Sequence, residues 1–127
     1  MSRSRRSARQ AGASFERLMA DYFAAALDDD RIDRRVKTGS KDRGDIAGLR
    51  LRGKRVVVEC KDYGGEHRLP QWLREAETER GNDDAEYGVV VWKRRGTTDP
   101  AEQYVTMTAE TFMAIVAGGR ECLGAES

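Results

Sequence analysis

Residues 44–61 read GDIAGLRLRGKRVVVECK, and this stretch decides the fold. Two strand-like runs, residues 45–51 and 55–61, flank the short polar segment 52–54, which is the pattern of a β-hairpin. The second run contains three consecutive valines, which favour a central strand. The sequence therefore predicts a hairpin whose second strand lies inside a sheet.

The charged end of the second run interrupts this apolar pattern. Because side chains alternate along a strand, Glu59 and Lys61 are expected on one face, about 7 Å apart, and Val56, Val58 and Cys60 on the other, in the core. With residues 52–54 as the turn, Asp45 lies opposite Lys61 and Ala47 lies opposite Glu59. Asp45, Glu59 and Lys61 then share one face of the hairpin.

Two carboxylates that meet at one point repel each other, and an all-oxygen ligand set favours Mg²⁺, with Mn²⁺ as a substitute. Lys61 can hold a water or hydroxide near such an ion and neutralise a phosphate oxygen. Together these groups suit metal-assisted hydrolysis of a phosphodiester. The alternative is a surface ladder of ion pairs across the hairpin, without chemistry.

Charge is unevenly distributed along a chain whose net charge is only +1. Residues 31–61 carry eleven basic and four acidic side chains, whereas residues 62–127 carry seven basic and thirteen acidic ones. A concentrated basic segment is what a phosphate-binding surface needs. An ordinary solvated charged face is the alternative.

The rest of the chain predicts three helices and further strands. An apolar stripe favours a helix from Ser14, and residues 1–12 are expected to form a disordered basic arm. A second helix is predicted from Pro70 to Gly81-Asn82, with Trp72 on its apolar face and expected in the core, and a third begins at Thr108. The predicted order is α-β-β-β-α-β-β-α, an α/β fold with a mixed sheet. One domain is expected over residues 13–119, with a flexible tail at 120–127.

Several classes of protein are excluded by composition. The 127 residues suffice for one domain, and no apolar run is long enough to span a bilayer. The basic N-terminus lacks the apolar stretch of a secretory signal, so we expect a cytoplasmic protein. Cys60 and Cys122 have no metal-ligand spacing and are expected to be free thiols.

The order of short motifs resembles the PD-(D/E)XK nuclease superfamily. Within it, the archaeal-type Holliday-junction resolvases are the more similar group. The resemblance rests on ASFER at 13–17, TGSKDRGDIAG at 38–48 and VVVECK at 56–61, and it covers residues 13 to about 92. It implies a restriction-endonuclease-like αβββαβ core with flanking helices.

The resemblance also implies roles for individual residues. Asp45 and Glu59 match the metal-binding acids, Lys61 matches the catalytic lysine, and Glu16 matches a helix glutamate at the site. Ser40 matches a serine of the loop before Asp45. The backbone carbonyl at Cys60 matches a further metal ligand. Gly44 stands where the superfamily name has proline. Without the resemblance, the pattern favours Glu16 as a boundary residue at the edge of the apolar stripe of the first helix.

The implied function is a Mg²⁺-dependent homodimer that cuts four-way DNA junctions with paired nicks. The sheet edge or the last helix, around Phe112, Met113 and Val116, is the expected interface; the alternative is that this helix belongs to the core. Basic side chains and one hydroxyl are expected to contact DNA: Arg3, Arg5, Arg6, Arg9, Lys37, Ser40, Lys41, Arg43, Lys93, Arg94 and Arg95. Alternatives are a restriction- or repair-type nuclease of the same superfamily and a catalytically inactive DNA-binding module.

Overall fold

The computed structural model describes residues 4–36, 39, 41–63 and 68–124. Its three α-helices are α1 (Arg5–Leu27), α2 (Leu69–Asn82) and α3 (Ala109–Ala117). Its six strands are β1 (Asp33–Arg34), β2 (Ile46–Ala47), β3 (Arg50–Leu51), β4 (Lys54–Lys61), β5 (Tyr87–Trp92) and β6 (Tyr104–Thr106). None of the helices in this part of the chain is both long and apolar enough to cross a membrane.

The strands form one mixed sheet in the order β1-β2-β4-β5-β6, with β3 also paired to β4. β4 and β5 run parallel at its centre, and the remaining pairs are antiparallel. Parallel neighbours need a crossover, and α2 supplies it between β4 and β5. The predicted α/β class with a mixed sheet is confirmed.

The core lies on both faces of the sheet. On one face, Phe15 and Met19 of α1 pack with Val58 of β4 and with Val89 and Val91 of β5. On the other face, α2 packs Trp72 and Ala76 against Val90. Trp72 is 1% exposed, which confirms the prediction that it belongs to the core. Since alternate residues of β4 and β5 face opposite helices, residues next to each other in sequence belong to different layers.

The predicted hairpin exists, but its predicted register is wrong. The turn is the two-residue segment Arg52-Gly53, both with positive φ, so Leu51 pairs with Lys54 and not with a later residue. Ile46 pairs with Val58, and one extra residue on the first strand separates β2 from β3. Gly48 lies in this interruption with a φ of 90°. Because of the extra residue, the residues that precede it in the first strand are displaced by one position along β4.

The first helix also begins earlier than Ser14, so the arm expected over residues 1–12 needs correction. The Ser4 side chain accepts a hydrogen bond from the Ser7 N–H and caps a helix that starts at Arg5. Arginine and alanine have high helix propensity. The residues before the apolar stripe therefore extend the helix toward the N-terminus, where it is exposed to solvent. Residues 4–10 are all exposed.

The start of the expected tail is attached to the body of the domain. Residues Arg120–Cys122 form a 3₁₀ turn. Glu121 accepts a 2.7 Å ion-pair contact from Lys54, and the Arg120 N–H donates to Glu86. The ordered domain therefore extends past residue 119. The hydrogen-bond partners come from β4 and the segment before β5, which no local pattern reveals.

Candidate metal centre

The end of β4 carries its two charged side chains toward helix α2. The Lys61 ammonium lies 3.2 Å from Glu59 Oε2 and 2.7 Å from Glu75 Oε1 of α2. The predicted sharing of one strand face by Glu59 and Lys61 is confirmed. Gln71 donates to the other Glu75 oxygen at 3.1 Å, so the Glu75 carboxylate is held between α2 and the strand.

Three carboxylates meet next to this lysine. Oxygen atoms of Asp42, Glu59 and Glu79 all lie within 4.8 Å of one another. Glu59 is 6% exposed and Glu79 4% exposed, and the Oε1 atom of each has no hydrogen-bond partner among the described residues. Buried carboxylate oxygens are normally paired or bound to a metal. This group of acids could hold a metal ion.

The same crowding makes both buried acids hard to ionise without a cation. Burial, followed by the nearby Glu79 and Asp45 carboxylates, raises the pKa of Glu59 to about 10. Burial raises the pKa of Glu79 to about 7, with Asp42 and Asp45 acting in the same direction. Without another positive charge, these side chains take up protons. A divalent cation would replace those protons.

Lys61 stays charged in this setting. Burial opposes its charge, but the Glu75 and Glu59 carboxylates outweigh burial and raise the pKa of the ammonium. Burial also opposes the charge on Glu75, and the hydrogen bonds from Lys61 and Gln71 outweigh it, so the pKa of Glu75 is lowered. At neutral pH the pair is therefore a carboxylate and an ammonium.

Asp45 lies beside β4, although not where the predicted register put it. Its N–H donates to the Val58 carbonyl and its Oδ2 accepts from the Cys60 N–H, both at 2.8 Å. Asp45 is 5% exposed. Lys61, which was predicted to lie opposite Asp45, contacts Glu59 and Glu75 instead. Asp45 lies beside the segment from Val58 to Cys60. Asp45 and Glu59 still come together at the end of β4, because the Asp45 carboxylate is one of the groups that raise the pKa of Glu59.

Gly44 precedes Asp45 in a conformation that proline cannot adopt. Its φ is 96°, whereas the proline ring fixes φ near −65°. A Cβ atom here would lie 2.9 Å from Val57 Cγ1 and 3.2 Å from the Val58 carbonyl oxygen. Glycine at this position lets the loop come close to β4 and brings Asp45 to the strand.

Glu16 and the Cys60 side chain belong to the α1 side of the sheet. Glu16 Oε1 pairs with Arg34 at 3.0 Å and is not a member of the three-carboxylate group. Burial raises the pKa of the Cys60 thiol, and the charges of Asp45, Glu16 and Glu59 add to the effect. Glu16 therefore approaches the strand end from the opposite face. Cys60 and Cys122 are free thiols, as predicted.

The basic residues expected to contact DNA differ in their surroundings. Lys41 and Arg43 are exposed in the loop that leads to Asp45, and Arg5, Arg6 and Arg9 are exposed on α1. Lys93 donates to the carbonyls of Arg94 and Thr97 inside its own loop. Arg94 stacks 4.8 Å above the Tyr104 ring, and Arg95 is exposed. Arg3, Lys37 and Ser40 lie outside the described residues.

The sequence reasoning missed Asp42, Glu75 and Glu79. One signal could have found Glu79: it lies three residues after Ala76 and seven after Trp72, on the apolar stripe of a predicted helix. An acid on a buried stripe needs a partner or a ligand. Glu75 precedes it by one turn, so both face the sheet. Asp42 carried no such signal, because it lies in a polar loop.

Searches of protein-family models, curated proteins and solved structures gave no match to this chain.

Proposed function

We propose that the chain is a divalent-metal-dependent DNA endonuclease with a restriction-endonuclease-like core. The observation that carries the proposal is the Glu59 carboxylate. It is buried at the end of a central strand, pairs with Lys61, and keeps an oxygen without a partner among the described residues. The order α1, β1, β2–β3, β4, α2, β5 also follows the αβββαβ order of that core.

The donor set fits a hard cation. Asp45, Glu59 and the Cys60 carbonyl would hold Mg²⁺ or Mn²⁺ with oxygen atoms alone, and this donor set has no imidazole or thiolate ligand that would favour zinc. When bound, such an ion polarises a phosphate oxygen and lowers the pKa of a bound water. The Glu59 Oε1 atom, which is buried and has no partner among the described residues, agrees with this fit.

Lys61 has a separate part in the proposed chemistry. Because its pKa is raised, it is protonated at neutral pH and donates hydrogen bonds; it does not accept a proton from water. Its ammonium can neutralise a phosphate oxygen that gains charge during hydrolysis. Glu75 fixes the direction of the ammonium from the far side at 2.7 Å.

DNA is the proposed polymer because exposed cations lie on the loop that enters the site. Lys41 and Arg43 precede Asp45 by two to four residues and are exposed. Their charges would bind phosphates on either side of the scissile bond. A four-way junction is the proposed substrate because of the resemblance to junction resolvases, and the cytoplasmic location stays a prediction from the sequence.

A symmetric junction needs two nicks, so we also propose a homodimer. Phe112, Met113 and Val116 of α3 are 52%, 46% and 66% exposed, and β6 is an edge strand of the described sheet. An exposed apolar helix face and an open strand edge are each suitable interfaces between two copies. Phe112→Glu should convert the dimer to a monomer in light scattering and leave nicked circles as the product from a cruciform plasmid.

The decisive experiment compares labelled four-way junctions, flaps and linear duplexes with and without Mg²⁺. Lys61→Ala, Asp45→Ala and Glu59→Ala should each lower cleavage by about 100-fold or more while junction affinity changes little. Glu77→Ala is the matched control, since Glu77 is an exposed acid of α2 paired with Arg80. Preferred cutting of flaps or duplexes would identify another nuclease, and binding without cleavage would identify a DNA-binding module.

A further inference from the structure

Helix α2 contributes a buried acid that the resemblance does not include. Glu79 is 4% exposed, and its Oε1 is shielded from solvent with no hydrogen-bond partner among the described residues. An exposed glutamate at this helix position has no desolvation cost. Burying a polar atom without a hydrogen-bond partner lowers the stability of the folded protein by about 1–3 kcal/mol, and by more when the group is charged. The Glu79 carboxyl group hydrogen-bonds to Glu59, but its Oε1 atom has no partner among the described residues, and a bound cation would supply one.

Two other carboxylates surround the same space. Asp42 and Glu59 oxygens lie within 4.8 Å of each other and of Glu79, which is the spacing of oxygens around one ion. Glu59 is also nine-tenths buried, and its Oε1 lacks a partner among the described residues. Two buried carboxylates from different elements, each with one oxygen that lacks a partner among the described residues, thus converge with a third acid.

The positive charge of Lys61 is not enough to neutralise the carboxylates that meet at the end of β4. Among the ion pairs of the described residues, Lys61 reaches Glu59 and is shared with Glu75. With Lys61 matched to Glu75, the ionised forms of Asp42, Asp45, Glu59 and Glu79 carry four negative charges, and the ion proposed above balances two of them. A second divalent cation would balance the other two.

The space is open to solvent on one side. Asp42 is exposed, and a cavity of about 260 Å³ is lined by Asp42, Glu75 and Glu79 together with Asn82. The Asn82 amide donates to the Asp42 carbonyl at 2.8 Å and fixes this loop against the end of α2. A hydrated cation can therefore enter and keep part of its water shell, as Mg²⁺ does.

We propose that Asp42, Glu59 and Glu79 form a second divalent-cation position, so that two ions share Glu59 at the end of β4. The first position is the one proposed above for Asp45, Glu59 and the Cys60 carbonyl; the catalytic use of the pair rests on the proposed nuclease function. Asp45 binds the Cys60 N–H on the strand side, whereas Asp42 and Glu79 meet Glu59 from the loop and from α2. Paired ions that share a carboxylate are suited to phosphodiester hydrolysis, since each stabilises one oxygen of the reacting phosphate.

The test counts ions and does not require DNA. Metal-free full-length protein is titrated with Mn²⁺ and followed by electron paramagnetic resonance and calorimetry. Wild type should bind two Mn²⁺ per chain, and Glu79→Gln and Asp42→Asn should each bind one. Glu77→Gln, an exposed acid on the same helix, should still bind two. Asp42→Asn lies in an exposed loop and so reports on binding without disturbing the core.

A wild-type protein that binds a single Mn²⁺, or either variant retaining two, would overturn the second position. Because ion counting is independent of cleavage, two ions bound by a protein that cuts no DNA would refute the nuclease and leave this site standing. Cleavage of DNA by a protein that binds one Mn²⁺ would support the nuclease and refute the second position.

Discussion

Glu59→Gln should stabilise the metal-free protein at alkaline pH while removing its activity. The pKa of Glu59 is about 10 in the folded chain, whereas an unfolded glutamate titrates near its ordinary value of about 4.3. Between these values the folded state must bind a proton that the unfolded chain lacks. The stability of the wild type relative to Glu59→Gln is therefore greatest below pH 4 and is lost as the pH rises toward 10.

The size of the effect follows from that linkage. Each pH unit between the two pKa values costs about 1.4 kcal/mol, so the difference in unfolding free energy between Glu59→Gln and wild type should shift by about 4 kcal/mol from pH 5 to pH 8. Glutamine keeps the shape of the side chain. The loss of the ion pair with Lys61 changes the free energy of unfolding by nearly the same amount at both pH values. Urea denaturation in EDTA at both pH values measures the difference.

Glu77→Gln is the control for this experiment. A hydrogen bond from Arg80 lowers the pKa of Glu77, so its contribution is nearly constant above pH 5. Repeating the pH 8 measurement with Mg²⁺ should stabilise wild type and leave Glu59→Gln almost unchanged. If the free-energy difference between Glu59→Gln and wild type is the same at pH 5 and pH 8, the account of a strained buried carboxylate is refuted.

Three further predictions concern the fold and the DNA surface. Gly48→Ala should lose about 2 kcal/mol or more in urea denaturation, because the φ of 90° is strained for alanine and the new Cβ would lie 2.4 Å from the Arg31 carbonyl oxygen. A loss below about 0.5 kcal/mol would contradict the tight approach there. Trp72→Ala should lose about 3–5 kcal/mol, measured in the same way, with Trp72→Phe losing much less. Deleting residues 1–12 removes four arginines and should lower the salt slope of junction affinity by up to about 3–4, measured by fluorescence anisotropy; an unchanged slope means that these arginines do not touch DNA.

The boundaries of α2 and α3 illustrate what local chemistry can determine. Pro70 at the start of α2 and Thr108 before α3 act within one helical turn, and both helices begin where these residues predict. The start of α1 was missed because a hydrophobic stripe marks where a helix is buried, not where it begins. Arg5 and its neighbours need only propensity and the Ser4 cap to extend it.

The register of the hairpin shows where local reasoning fails. A two-residue turn at Arg52-Gly53 and an extra residue near Gly48 both fit the same sequence pattern as the predicted three-residue turn. Gly48 lies close to the Arg31 backbone, which is outside the hairpin, so the surroundings of the extra residue cannot be read from the hairpin sequence alone. Asp45 therefore reaches the strand end by a route that the simple hairpin does not provide.

The sequence by itself determined that Glu59 and Lys61 share a strand face, because alternation along β4 is a property of the backbone. It also determined the α/β class and the burial of Trp72, since these follow from periodicity and hydrophobicity. Only the tertiary structure decided which acids join Glu59. The crossover that makes β4 and β5 parallel lays α2 over the strand end, and it brings Glu75 and Glu79 to side chains 14 and 20 residues earlier in the chain. Such proximity depends on packing between elements, and no spacing within either element encodes it.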